Sequence, residues 1–214
     1  MELEHVLPSE IEKRSFEIIT EELNGRTFPE YEELVVKRVI HTSADFDYAD
    51  NLKFSEGVVQ KAIAAILDGA CIVTDTQMAK SGINKKTLSK YGGEVFCYIA
   101  DEDVAKEATE RGVTRSSICM EKAARMQKET GKKLIFAIGN APTALVSLHE
   151  LIEKGELKPE LIIGVPVGFV NVVASKELIM NMDVPYIVAA GRKGGSNIAA
   201  AICNAIMYQI KGAR

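Results

Sequence analysis

The chain has 214 residues, 47% hydrophobic and 26% charged, the composition of an ordinary globular protein with enough apolar surface for a sizeable core. Its net charge of -4 and pI near 5.6 exclude, as expectations, a nucleic-acid or anionic-membrane partner, because the long-range field repels both. No window approaches the roughly 20 apolar residues of a spanning helix, and the opening MELEHVLPSEIEKR lacks the basic-then-apolar order of a signal peptide, so a cytoplasmic location is expected.

At about 150 residues per domain, one domain over 1–214 is the simplest partition, and no Pro/Ser-rich linker, repeat or low-complexity tract divides it. Helical spacing of Ile11, Ser15, Ile18, Ile19 and Leu23 predicts a first helix, with Ser9 and Glu12 in capping-box spacing and Gly25 as the stop. A second begins near Pro29 and runs through Leu34, Val35, Val39 and Ile40 to end close to His41. Ser55 to Leu67 reads as a third helix.

Beyond it, short apolar runs alternate with helical stretches: Ala70 to Thr74, Val95 to Ala100, Leu134 to Ile138, Leu161 to Val165 and Tyr186 to Ala189. Such runs, without strict alternation, suit strands buried on both faces of a parallel sheet, with helices as the crossovers. The expected fold class is therefore α/β, a mostly parallel sheet of about five strands flanked by helices, with the helical N-terminal region packed on it.

Open parallel sheets bind ligands at the carboxyl ends of their strands. Those ends carry Asp75-Thr76-Gln77-Met78, then Asp101, then Gly139-Asn140-Ala141-Pro142-Thr143, then Pro166-Val167-Gly168, then Gly191-Arg192-Lys193-Gly194-Gly195-Ser196. Turn chemistry alone accounts for many of these residues, but poorly for Arg192 and Lys193. Two cations, exposed backbone N–H groups and a following helix N-terminus make GRKGGSN an anion site. It is neither a phosphate-binding G-x-x-x-x-G-K-[ST] loop nor a dinucleotide G-x-G-x-x-G turn, so a carboxylate-rich ligand fits better. Arg115 stands at an expected helix start capped by Thr114, where a cation opposes the helix dipole; a bound anion or plain solvation explains it.

Four scattered cysteines, Cys71, Cys97, Cys119 and Cys203, form no C-x-x-C pair and read as buried hydrophobes. Three histidines, without supporting carboxylates at ligand spacing, give no transition-metal signature. His5 lies near the terminus and His149 mid-helix, which leaves His41. It ends a helix and precedes the dense Thr42-Ser43-Ala44-Asp45-Phe46-Asp47-Tyr48 stretch. Spacing admits two readings: a proton donor working near neutrality, or a histidine that merely complements a helix C-terminus.

The stretches RVIHTSADFDYADNLKFS, TDTQMAKSGINKKTL, GGEVFCYIAD, GVTRSS, IGNAPTAL, GVPVGFVNVVASKE and GRKGGSNIAAAICNAI together resemble the precorrin-8X methylmutases over nearly the whole chain. Those beginning RVIHT, TDTQM and GRKGG are most similar to the cobalt-precorrin-8 branch of the oxygen-independent cobalamin route. The resemblance implies an isomerase that moves a methyl group from carbon eleven to carbon twelve of a corrinoid ring by a 1,5-sigmatropic shift, without an added cofactor; any cobalt belongs to the substrate. It implies His41 as the acid, homodimers with sites near the subunit interface, and Arg14 and Ser15 reaching the ligand from the first helix. A flat ring edged by carboxylates wants an apolar slot with a cationic rim. Arg115, Arg192 and Lys193 and the N–H groups near Gly191, Gly194 and Gly195 suit that rim; Asp75, Thr76 and Met78 suit the wall. Asn140 and Thr143 fit either the site or loop scaffolding. Two other readings stay open: a non-catalytic corrinoid carrier, and a doubly wound enzyme on another polyanion such as a sugar phosphate.

Overall fold

The computed structural model describes residues 4–212. In chain order the elements are α1 (Ile11–Glu22), α2 (Glu30–Ser43), α3 (Tyr48–Asn51), β1 (Leu52–Phe54), α4 (Val58–Leu67), β2 (Cys71–Thr74), α5 (Gln77–Gly82), α6 (Lys85–Ser89) and β3 (Val95–Phe96). There follow α7 (Glu102–Arg111), α8 (Arg115–Thr130), β4 (Leu134–Ile138), α9 (Pro142–Glu153), β5 (Leu161–Gly164), α10 (Val172–Met180), β6 (Tyr186–Ala189) and α11 (Ser196–Met207).

One six-stranded sheet in the order β1-β6-β5-β4-β2-β3 forms the centre. The five parallel strands match the expected runs, though Val95–Phe96 is only the start of its run. The sixth, β1, was not expected: it runs antiparallel to β6, with Leu52 opposite Ala189 and Phe54 opposite Ile187. Three residues, Leu-Lys-Phe, are too few to carry a strand signal, and pairing with β6 is what makes them one. The expected third helix accordingly begins at Val58 rather than Ser55.

Alternate strand residues feed two apolar layers, as a period of two requires. Ile72, Ile135, Ala137, Leu161, Ile163 and Ile187 face α1, α2, α4 and α11. Val73, Leu134, Phe136, Ile138, Ile162 and Val188 face α7 to α10. The N-terminal helices thus lie on the sheet as expected, α2 along α11. The capping box at Ser9 does not form: α1 starts one residue later than Ser9 would cap, behind Glu10, and Glu12 pairs with Arg38 of α2. That ion pair straps α1 to α2.

Chain order and sheet order disagree at β2, whose sequence successors β3 and β4 lie on opposite sides of it. This is a topological switch, and the carboxyl ends of β2, β4, β5 and β6 open onto one rim beside it. Because β1 is antiparallel, its beginning lies at that same rim, and Ala190 donates to the Asn51 carbonyl at 2.8 Å. The exit of α2 is delivered there with it.

Candidate active site

The switch crevice is closed from within by Asp75, 1% exposed. Its carboxylate accepts from the N–H groups of Gly139 (2.9 Å), Asn140 (2.8 Å) and Ala141 (2.7 Å). Burial pushes this carboxyl upward and the three N–H donors pull it down, burial prevailing. Expected in the pocket wall, Asp75 is placed inside the protein, where it shapes the β4–α9 loop. Thr76 is also engaged internally: its Oγ1 caps α5 through the Ala79 N–H (3.1 Å) and meets Ser196 Oγ at 2.7 Å. Gly139 lets α11 come close, since a Cβ there would stand 2.6 Å from Ser196 Cα.

The 191–195 loop after β6 is knitted to the loop after β5. Gly195 N–H donates to Val165 O at 2.9 Å and Gly168 N–H to Arg192 O at 3.1 Å. A Cβ on Gly194 would sit 2.1 Å from Val165 O, so only glycine permits this approach. The twelve-residue α11 starts behind Gly195 with no side-chain cap, which leaves first-turn N–H groups facing the rim.

The three expected cations differ in availability. Arg192 is exposed, its guanidinium 5.4 Å from the Phe169 ring centroid. Arg115 is exposed at the first position of α8, behind a Thr114 cap that accepts from Ser117 N–H at 3.2 Å and meets Thr143 Oγ1 at 2.8 Å. Among the described residues no carboxylate pairs with either arginine. Lys193, by contrast, is already bound to Asp45 and Asp47, both at 2.6 Å. Its ammonium group holds the Asp45 carboxyl below the ordinary carboxylate range, and the two carboxylates hold the lysine above its own.

His41 lies in the last turn of α2, exposed, three residues before the left-handed Ala44 that ends the helix (φ +52). Among the described residues no hydrogen bond or ion pair engages the imidazole. What touches it is Phe16 of α1, ring centroids 5.5 Å apart. Phe16 is in turn covered by Arg38 at 4.8 Å. Arg14 and Ser15, expected to reach toward the ligand, are occupied on α1: Arg14 bonds Glu4 at 2.8 Å with Glu17 and Glu21 nearby, and Ser15 Oγ donates to Ile11 O. The first helix approaches His41 through Phe16 instead.

Met78, on α5, is 70% exposed and Asn140 is exposed at the end of β4. Two further apolar residues, Phe169 (79% exposed) and Val170 (80%), stand open to solvent in the loop after β5 and were not among the expected site residues. Their signal was present in GVPVGFVNVV, an apolar run directly after a strand end. All four cysteines are buried and free, and burial pushes Cys119 and Cys203 up to about 12. Among the described residues no group of three or more His, Cys, Asp or Glu side chains is placed to hold a metal ion. No helix is long and apolar enough to cross a membrane.

A doubly wound sheet whose rim carries exposed arginines, glycine N–H groups and exposed apolar side chains, with the exit of the His41 helix delivered to the same rim, has the layout of an α/β protein's ligand crevice. The precorrin-8X methylmutase family model matches residues 10–209, and the chain belongs to that family of isomerases. It is 47% identical over 201 residues to the cobalt-precorrin-8 methylmutase of Priestia megaterium, covering 94% of this chain and 88% of that one. The cobalt-precorrin-8 methylmutase of Salmonella typhimurium is 43% identical over 214 residues, covering 96% and 97%. Among solved structures, the precorrin-8X methyl mutase from Thermus thermophilus superposes with a TM-score of 0.82 at 37% identity, over 93% of this chain and 96% of that one.

Proposed function

We propose that the chain acts in cobalamin biosynthesis, moving a methyl group from carbon eleven to carbon twelve of a precorrin-8 macrocycle. The relatives named above carry cobalt-precorrin-8 or precorrin-8X in their own names. In this reading the apolar ring lies over Met78, Phe169 and Val170, while its carboxylates meet Arg192, Arg115 and the N–H groups around Gly194 and Gly195. Asn140 lines the same rim. Asp75, Thr76 and Lys193 act behind the contact surface, holding the loops in place.

His41 is the acid. An imidazole can lend a proton or a strong hydrogen bond to ring C and recover it in the same turnover. As the carbon eleven to methyl bond breaks and the carbon twelve to methyl bond forms, the macrocycle redistributes its electrons, and the donor stabilises that redistribution. Nothing is oxidised or reduced, so no cofactor is called for, and any cobalt arrives within the substrate. In this reading the enzyme works in the cytoplasm, and as a homodimer, which the family resemblance implies.

The observation that carries this reading is the Lys193 bridge to Asp45 and Asp47, because it makes the anion loop and the end of the His41 helix one rigid unit. The test is anaerobic incubation with cobalt-precorrin-8 and with metal-free precorrin-8X, following the ring's absorption spectrum. We expect a spectral shift with one or both. His41→Ala should still bind the product while turnover falls by roughly 10²- to 10⁴-fold. An unchanged spectrum with folded protein, or tight binding of phosphate esters in its place, would sink the assignment; full turnover by His41→Ala would remove the acid.

A further inference from the structure

Lys176 is fully buried, 0% exposed, on α10. Its ammonium group meets no carboxylate among the described residues. Instead Nζ donates to two main-chain carbonyls of the anion loop, Gly191 O at 2.8 Å and Lys193 O at 2.9 Å. A buried cation without an anionic partner is costly unless something compensates it.

The peptide geometry says what it accomplishes. Every described peptide bond is trans, and across a planar trans peptide the C=O and the following N–H point in opposite directions. Drawing the carbonyls of Gly191 and Lys193 inward therefore turns the N–H groups of Arg192 and Gly194 outward. Neither of these N–H groups has a main-chain or side-chain acceptor among the described residues, whereas the next N–H along the chain, that of Gly195, is spent on Val165 O. Two outward N–H groups, two residues apart, form a concavity for one carboxylate oxygen pair.

We infer that Lys176 is the positioning residue of this loop: its two bonds aim the Arg192 and Gly194 N–H groups at one carboxylate of the bound macrocycle, and its charge adds to that attraction from below. The inference rests on the corrinoid reading of the rim. Of the titratable side chains on the neighbouring α9 (His149, Glu150, Glu153), β6 (Tyr186) and the loop (Arg192, Lys193), none bonds the ammonium group. Burial alone pulls it down to about 8, and a bound anion raises it again.

The experiment measures cobyrinic acid binding to the full chain by absorbance titration from pH 6.5 to 9.5, for wild type, Lys176→Met and Lys176→Gln. Wild-type affinity should fall as pH rises through about 8. Lys176→Met, which removes both donors, should bind at least about tenfold more weakly at neutral pH and lose the alkaline fall. Lys176→Gln keeps amide donors without charge, so it should recover part of the affinity but not the pH dependence. Wild-type binding that stays flat across pH 8 overturns the inference even if both variants fail to fold. So does a Lys176→Met protein that binds with wild-type affinity. Failure of the wild type to bind cobyrinic acid at any pH would instead overturn the reading of the rim, and this inference with it.

Discussion

Lys193 reaches from the loop after β6 to Asp45, Nζ to Oδ2 2.6 Å, across 148 positions of sequence. The second carboxylate, Asp47, takes the same ammonium group at 2.6 Å. The bridge joins the two segments that matter most at the rim: the anion loop and the stretch that follows His41. Lys193 thereby serves the site as a fastening, and the cations left for a ligand are Arg192 and Arg115.

Replacing Lys193 by Met should cost more in turnover than in binding. With the α2 exit unfastened, the imidazole loses its fixed relation to the anion loop, and misplacement on the scale of an ångström costs between about tenfold and a hundredfold in rate. The pH dependence has a definite sign. Asp45 is held below the ordinary carboxylate range, so the bridge is complete at neutral pH and is lost as pH falls through that lowered value. Steady-state kinetics of the variant, beside the wild-type acid limb, check both statements; unchanged kcat would rule out the fastening.

Arg192→Ala should act on binding. The guanidinium rests on Phe169 and has no carboxylate partner among the described residues, so its removal exposes no buried charge and should leave folding intact. The KM should rise by about tenfold or more, the worth of one charge-assisted pair, with kcat little altered. A KM equal to wild type would show that the substrate carboxylates lie elsewhere.

Asp75→Asn tests the opposite kind of residue. One carboxylate oxygen becomes an amide donor facing the N–H groups of Gly139, Asn140 and Ala141, and at least one buried donor is left without an acceptor. A loss of roughly 1–3 kcal/mol is expected, read by urea unfolding. Stability within error of wild type would mean that the loop holds its shape without this anchor.

Lys176 makes a prediction about stability separate from binding. Its folded value lies near 8, below the ordinary 10.5, so between those values the unfolded chain binds more protons and stability rises with pH. Below pH 8 the burial cost is fully present; it is relieved as the amine deprotonates, by on the order of 3 kcal/mol across the window. Wild type should therefore gain on Lys176→Met between pH 8 and 10.5 in ligand-free unfolding experiments. Parallel curves would place the ammonium group in contact with water.

Much of this was legible beforehand. The runs Leu134–Ile138 and Tyr186–Ala189 are strands at the expected boundaries, because strands buried on both faces must be apolar throughout. Thr114 caps α8 as its side chain predicts. Lys176 was legible in principle, since Val172, Lys176 and Ile179 share one helical stripe and all are buried, but a lysine in that stripe reads as a solvated residue until its acceptors are known. Phe96 shows a limit of another kind: an apolar run announces burial, and the length that actually pairs depends on the neighbouring strand.

By itself the sequence determined the α/β class, the parallel core, the helix ending close to His41 and the cationic loop at a strand end. Each follows from local periodicity, local turn chemistry or a motif several residues long. Only the tertiary structure decided that Lys193 is paired, that Asp75 is an internal anchor, that Phe16 touches His41 while Arg14 is paired with Glu4, and that a three-residue antiparallel strand brings the α2 exit to the rim. These are pairings between segments far apart in the chain, and a charge or an apolar side chain carries no mark of which distant partner the fold will bring to it.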